Sequence, residues 1–135
     1  MKTIVSAVLT ASLLLGASAM AQDTNDTAAA RTAAESWLKL VDNGDTGGAW
    51  RASSANVRKD TNQFFWGSIL NVSRAAFGEL KSRKLTGSSD KGNGQLAFEF
   101  DSRFGTDTKV KETVTTVHEK DGSWRVSGYN VNSSN

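Results

Sequence analysis

The chain contains no cysteine and no proline, and histidine and tyrosine occur once each, as His118 and Tyr129. Without cysteine there is no disulfide, no thiol nucleophile and no residue to carry a lipoprotein's lipid. One histidine excludes a two-histidine metal centre. The carboxylates nowhere cluster in the sequence, so no metal site and no cofactor is expected. A Ser-His-Asp triad would have to use His118, which stands beside Glu119 near a hairpin tip with no glycine-flanked nucleophile elbow. It is read as a solvated strand residue. With proline absent, glycine supplies the punctuation. Charge of one sign is also lacking: Lys+Arg 16 and Asp+Glu 14 give a net +2, with both signs interspersed. Nucleic acid and an anionic membrane surface are therefore not expected as partners.

The one long apolar run, Ile4 to Ala19, is broken by Ser6, Thr10, Ser12 and Gly16 and falls short of the roughly 20 residues that span a bilayer. Lys2 precedes it, Leu13 to Leu15 form its centre, and Ala19-Met20-Ala21 ends it with small residues where a signal peptidase reads. Residues 1–21 are thus expected to be a cleaved signal peptide, with the cut between Ala21 and Gln22. That would leave a periplasmic or secreted chain with no stable membrane anchor. The expected organisation is a mobile leader over 22–27, one domain over 28–132 and a polar tail over 133–135.

Within that domain the hydrophobic period changes once. Ala30, Ala34, Trp37, Leu38 and Val41 share a helical face behind a cap at Asp26 or Thr27, and Asp42-Asn43-Gly44 ends the helix. Asp45 caps a short second helix holding Ala49 and Trp50. A third is expected from Asp60 or Thr61, with Phe65, Ile69, Val72 and Ala76 facing the core and Gly78 stopping it. After Gly78 the period is two. A weak strand over Glu79–Thr86 leads to a turn over Gly87–Gly94. A strand with Leu96, Phe98, Phe100 and Phe104 inward comes next, then a third over Lys109–Glu119 and a fourth over Ser123–Val131. At Lys120-Asp121-Gly122, a type I turn with Gly122 as a bulge collects more apolar residues on one face than a two-residue turn does. It puts Trp124 and Val126 with Val110, Val114 and Glu112. The predicted class is α+β: three N-terminal helices packed on one face of a curved, four-stranded antiparallel sheet.

Four candidate binding residues emerge. Trp50 and Trp66 are two of four tryptophans, which line pockets as well as cores; core packing is the preferred reading. Glu112 shares a face with valines and Trp124, so its carboxylate needs a partner or a raised pKa. Arg83 on the first strand is the candidate, because Arg103 and Arg125 face the other way. Gly92-Asn93-Gly94 and Gly87-Ser88-Ser89 do not lead from strand into helix and are read as hairpin turns rather than phosphate cradles.

The segments Ala34-Glu35-Ser36-Trp37-Leu38, Val41-Asp42-Asn43-Gly44-Asp45 with Trp50, Arg83-Lys84-Leu85, Glu112-Thr113-Val114 and Asp121 to Tyr129 resemble a bacterial exported family, domain of unknown function 4019. The resemblance spans Ala28 to Val131. One departure is Thr46-Gly47-Gly48, where the family carries an aromatic and small helix formers. The resemblance implies an exported protein without a catalytic assignment. Its order of elements is similar to the nuclear-transport-factor-2-like, cystatin-like cone, which hosts enzymes, carriers and interaction modules alike. The expectation is a non-enzymatic module taking a small ligand or protein partner in the helix–sheet cleft. The alternative is a small enzyme using Glu112 with Tyr129 or His118. A homodimer through the uncovered sheet face, lined by Thr113, Thr115, Ser127 and Tyr129, is a third expectation.

Overall fold

A computed structural model of the protein describes residues 25–105 and 107–133. The expected signal peptide, the cleavage pair Ala21 and Gln22, and the tail residues Ser134 and Asn135 lie outside the described residues. The first helix, α1, covers 25–42 of them. Asn25, Asp26 and Thr27, expected as leader and cap, are already helical. The face that the sequence marks is the buried one: Ala30, Ala34 and Leu38 are fully enclosed and Trp37 is 1 % exposed. The helix stops in a Schellman turn. Gly44, at φ +79°, donates to Val41 O at 3.0 Å, and Asp45 N donates to Leu40 O at 2.8 Å.

Asp45 caps α2 (Thr46–Arg51) by accepting from Gly48 N at 2.8 Å, so the unusual Gly47-Gly48 pair does not prevent this helix. A fourth helix, α3 (Ala55–Asp60), corrects the expected count of three. It buries no residue, so no apolar period announces it. Ser54 caps it and anchors it to the sheet, because Ser54 N donates to Val126 O at 2.8 Å.

Helix α4 (Gln63–Ala75) begins after Asn62 rather than at Asp60 or Thr61, since the Asn62 carboxamide accepts from Phe64 N and Phe65 N. Its orientation is the largest departure. Gly67 and Leu70 are buried, with Trp66 and Arg74 partly so. The expected core stripe points outward instead, with Phe65 69 %, Ile69 67 % and Val72 77 % exposed, and Phe64 beside them at 77 %. Two apolar faces compete on this helix, and the tryptophan-bearing one wins because Trp66 packs edge-on against Trp37 at 5.9 Å.

Strands β1 (Leu80–Gly92), β2 (Gln95–Phe104), β3 (Thr108–His118) and β4 (Trp124–Ser133) form an open antiparallel meander in the order β1-β2-β3-β4. β1 runs through Gly87-Ser88-Ser89, which is strand and not turn. The first hairpin closes on Asn93-Gly94, both at positive φ, a pairing whose twist matches that of the strands. The last hairpin takes the bulged form: Gly122, at φ +89°, donates to Glu119 O at 3.0 Å. Ser133, expected in the tail, closes β4. Phe98, Phe100, Val114 and Val126 face α1 and α4 and complete the core. Glu99, Asp101, Lys109 and Lys111 are exposed on the opposite face.

At the far end of the sheet, Gly105 N donates to Glu79 O at 2.7 Å. A Cβ on Gly105 would lie 2.6 Å from Phe77 O. This contact requires a residue with no side chain.

Candidate functional site

The inner face of the sheet carries a charge cluster to which α1, α4 and every strand contribute. Glu112 is fully buried. Its Oε1 accepts from Arg83 Nε at 2.9 Å and Ser102 Oγ at 2.5 Å, and its Oε2 accepts from the Tyr129 hydroxyl. Arg83 also donates to both oxygens of Asp42, Nη1 to Oδ2 at 2.6 Å and Nη2 to Oδ1 at 3.0 Å. Arg74 Nη2 donates to Asp42 Oδ1 at 2.7 Å. Its Nη1 lies 3.9 Å from Glu112 Oε2, and its guanidinium sits 4.6 Å from the Phe104 ring centroid. Two guanidiniums face two carboxylates, so the cluster is neutral as drawn together. Charge balance lets this set tolerate burial, and Asp42, Arg83 and Glu112 are hydrogen-bonded within it, whereas Nε and Nη1 of Arg74 are buried without a hydrogen-bond partner.

Electrostatics follow the geometry. Burial alone would raise the Asp42 pKa, but hydrogen bonds and charge from Arg83 and Arg74 outweigh it and hold the carboxyl below the usual range. Burial likewise opposes the charge on Arg83, and Asp42 and Glu112 more than compensate, so its pKa is raised. Tyr129 is pushed well above the ordinary phenol value, first by burial and then by the adjacent Glu112 carboxylate.

Tyr129 reaches this cluster because of one backbone irregularity. Thr116 pairs with Val126 but Thr115 pairs with Gly128, which leaves Ser127 as an extra residue. This bulge switches the parity of β4, so Tyr129, Val131 and Ser133 follow Trp124 and Val126 on the inner face. The expectation that Tyr129 lines the uncovered face is therefore corrected. The Tyr129 ring also packs 5.2 Å from that of Trp37.

Beside the cluster lies a cleft of about 150 Å³ between α4 and β4, lined by Trp37, Trp66, Leu70, Ser73, Val126 and Tyr129 among others. Its floor is fixed by Trp37, whose Nε1 donates to Ala49 O and Ser53 Oγ at 3.1 Å each. Larger but more open concavities include one of about 560 Å³ beside the first hairpin, lined by Ser88, Asn93, Phe98, His118 and Trp124 among others, and one of about 630 Å³ between α2 and α4, lined by Trp50, Thr61, Asn62 and Phe64 among others.

The four expected site residues therefore do not share one cleft. Arg83 and Glu112 pair in the buried cluster, at 2.8 Å. Trp66 lines the cleft next to it, reached through Trp37 and Tyr129. Trp50 stands apart, with its Nε1 donating to Thr61 Oγ1 at 3.0 Å. His118 is exposed and stacks on Trp124 at 4.6 Å. Asp42 and Arg74 escaped the sequence reading although a signal existed: each falls one helical turn beyond a buried leucine, Leu38 and Leu70. Gly128 inside an otherwise regular strand was the corresponding hint of the bulge.

Among the described residues, no group of three or more histidine, cysteine or acidic side chains could hold a metal ion, and no helix is long and apolar enough to cross a membrane. The architecture is an α+β layer, with helices preceding an open antiparallel sheet and a neutral charge cluster beneath an aromatic cleft. The chain belongs to the family described as Protein of unknown function (DUF4019), which it matches over residues 33–129. No curated protein matches it significantly.

Proposed function

We propose that this chain is an exported binding module that takes an aromatic or branched apolar group, carried by a small ligand or a protein partner, in the α4–β4 cleft. The observation that carries this reading is the cleft itself. Its volume, about 150 Å³, is that of a pocket able to hold benzene, and its walls are aromatic with a few hydroxyls at the rim. The exposed residues of α4 beside it extend the apolar surface well past the cleft mouth. Acid–base catalysis at Glu112 is the weaker reading. Glu112 and Tyr129 do converge, but Glu112 is fully enclosed and both its oxygens are engaged by protein donors, so a substrate has no approach to it. The helices-then-sheet order, similar to that of cystatin-like cones, supports a carrier or interaction role no more than an enzymatic one.

Titrating isotopically labelled protein, kept dilute enough to be monomeric, with benzene tests the cleft. Amide shifts are expected at Trp66, Leu70, Ser73 and along Val126–Tyr129, and Ser73→Trp, which fills the cleft mouth, should abolish them. An unchanged spectrum, or the same shifts in Ser73→Trp, refutes the reading. Export is tested by cell fractionation and the mass of the recovered chain. A chain beginning at Gln22 in the envelope fraction is expected, and a cytoplasmic chain retaining residues 1–21 refutes it.

A further inference from the structure

Helix α4 carries on its surface both halves of a contact. Phe65, Ile69, Val72 and Ala76 form a stripe at helical spacing, with the small residues Ser68 and Ala75 set between them. Phe65, Ile69, Val72 and the flanking Phe64 are 67–77 % exposed. The same helix supplies Trp66, Ile69, Leu70 and Ser73 to the cleft. Knob and hole thus lie on one element, about one to two turns apart.

We infer that two copies of this chain pair through α4, antiparallel about a two-fold axis at Ile69, each placing Phe65 in the cleft of the other. This rests on the reading of the cleft as a site for an apolar group, and it names that group as a phenyl ring from a second copy. With the axis at Ile69, Phe65 of one copy stands opposite Ser73 of the other, because both lie four residues from the axis in opposite directions. Ser73 is at the cleft wall. The contact is isologous: each copy gives and receives the same ring, and the assembly closes at two.

Three properties favour a second copy as the occupant. The first is area. At about 150–200 Å² per side chain, the four large residues expose on the order of 500 Å² per copy. Phe65, Ile69 and Val72, which face the proposed axis, would bury about 750 Å² between two copies, and the rim supplies the rest of the roughly 1,000 Å² a specific interface needs. The second is charge. From Thr61 to Ser73 the sequence holds no ionisable residue, so a two-fold contact there sets no charge against its own copy. The third is the nature of the other faces. The outer sheet face presents Glu99, Asp101, Lys109 and Lys111. Of the two sheet edges, β1 carries Lys81, Lys84 and Lys91 and is interrupted by three register shifts, devices that discourage strand pairing, and β4 is partly occupied by Ser53 and Ser54, which pair with Val126.

The chain's lack of cysteine makes the test direct. Ile69→Cys, on the proposed axis, should form a covalent dimer under mild oxidation, whereas Lys84→Cys on β1 should not. Sedimentation of the unmodified protein should show a concentration-dependent monomer–dimer equilibrium, weakened at least a hundredfold by Phe65→Asp. Ser73→Trp, which leaves Phe65 in place, should weaken it comparably. Phe65 is exposed, so the folded signal of the Phe65→Asp monomer should be unchanged. A protein monomeric at all concentrations refutes the pairing; if benzene still shifts the cleft residues, the binding reading survives and another occupant is required. A dimer indifferent to Phe65→Asp, or linked equally well through Lys84→Cys, also overturns the proposal and places the contact on another face.

Discussion

Raising the pH above 10 tests the buried charge cluster through its one phenol. Tyr129 donates to Glu112 Oε2 and packs on Trp37, so ionising it would set a phenolate against a carboxylate in a poorly solvated site. Its pKa in the folded protein is accordingly raised above 10.0. The unfolded chain, in contrast, releases this proton near pH 10. Below pH 10 both states hold the proton and Tyr129 adds no pH dependence. Above pH 10 the unfolded state binds one proton fewer, and stability falls by about 1.4 kcal/mol per pH unit from this group alone. Because Tyr129 is the only tyrosine, tyrosinate absorbance near 295 nm reports it without ambiguity. That absorbance should be missing from the native protein at pH 11 and appear together with the tryptophan signal of unfolding. Tyr129→Phe should lose about 1.5–3 kcal/mol at pH 8, the usual worth of a hydrogen bond to a charged group. Its alkaline loss, followed by urea unfolding at pH 9 to 11, should be shallower than the parent's by about 1.4 kcal/mol per unit. Tyrosinate forming with a midpoint near 10 in protein whose tryptophan fluorescence is still native would refute the buried bond. So would equal alkaline slopes in the two proteins.

Two further substitutions probe the frame around the cleft. Glu112→Gln keeps the shape but leaves the guanidiniums of Arg83 and Arg74 facing Asp42 alone, and should cost about 3–5 kcal/mol in urea unfolding; a loss under about 1 kcal/mol, with benzene binding altered, would instead mark Glu112 as a ligand-reading charge. Gly105→Ala forces a side chain onto a residue at φ +53° whose Cβ would meet Phe77 O at 2.6 Å, and should lower stability by about 2 kcal/mol or more. Unchanged thermal unfolding in that variant would mean that the Phe77–Gly105 crossing adjusts freely.

What the sequence determined by itself was whatever has a local cause. The face of α1, the cap at Asp45, the turn at Gly122 and the class of the fold all follow from periodicity and from side chains that bond their own backbone. The pairing of Arg83 with Glu112 was also within reach, because a carboxylate on an apolar face must find a cation and strand parity left one candidate. Composition alone removed disulfides and thiol chemistry. The tertiary structure decided three things that have no local cause. It chose which of the two apolar faces of α4 turns inward, since Trp66 gains Trp37 as a partner only when the sheet and α1 are in place. It placed α3, whose six residues bury nothing and are held by Ser54 against the edge of β4. Finally, it put a bulge at Ser127 and so turned Tyr129 from the outer face to the inner one. One added residue reverses the side on which every later residue of a strand points. Whether the chain accommodates that extra residue depends on what Tyr129 finds on the far side, here a carboxylate and an indole contributed by distant segments.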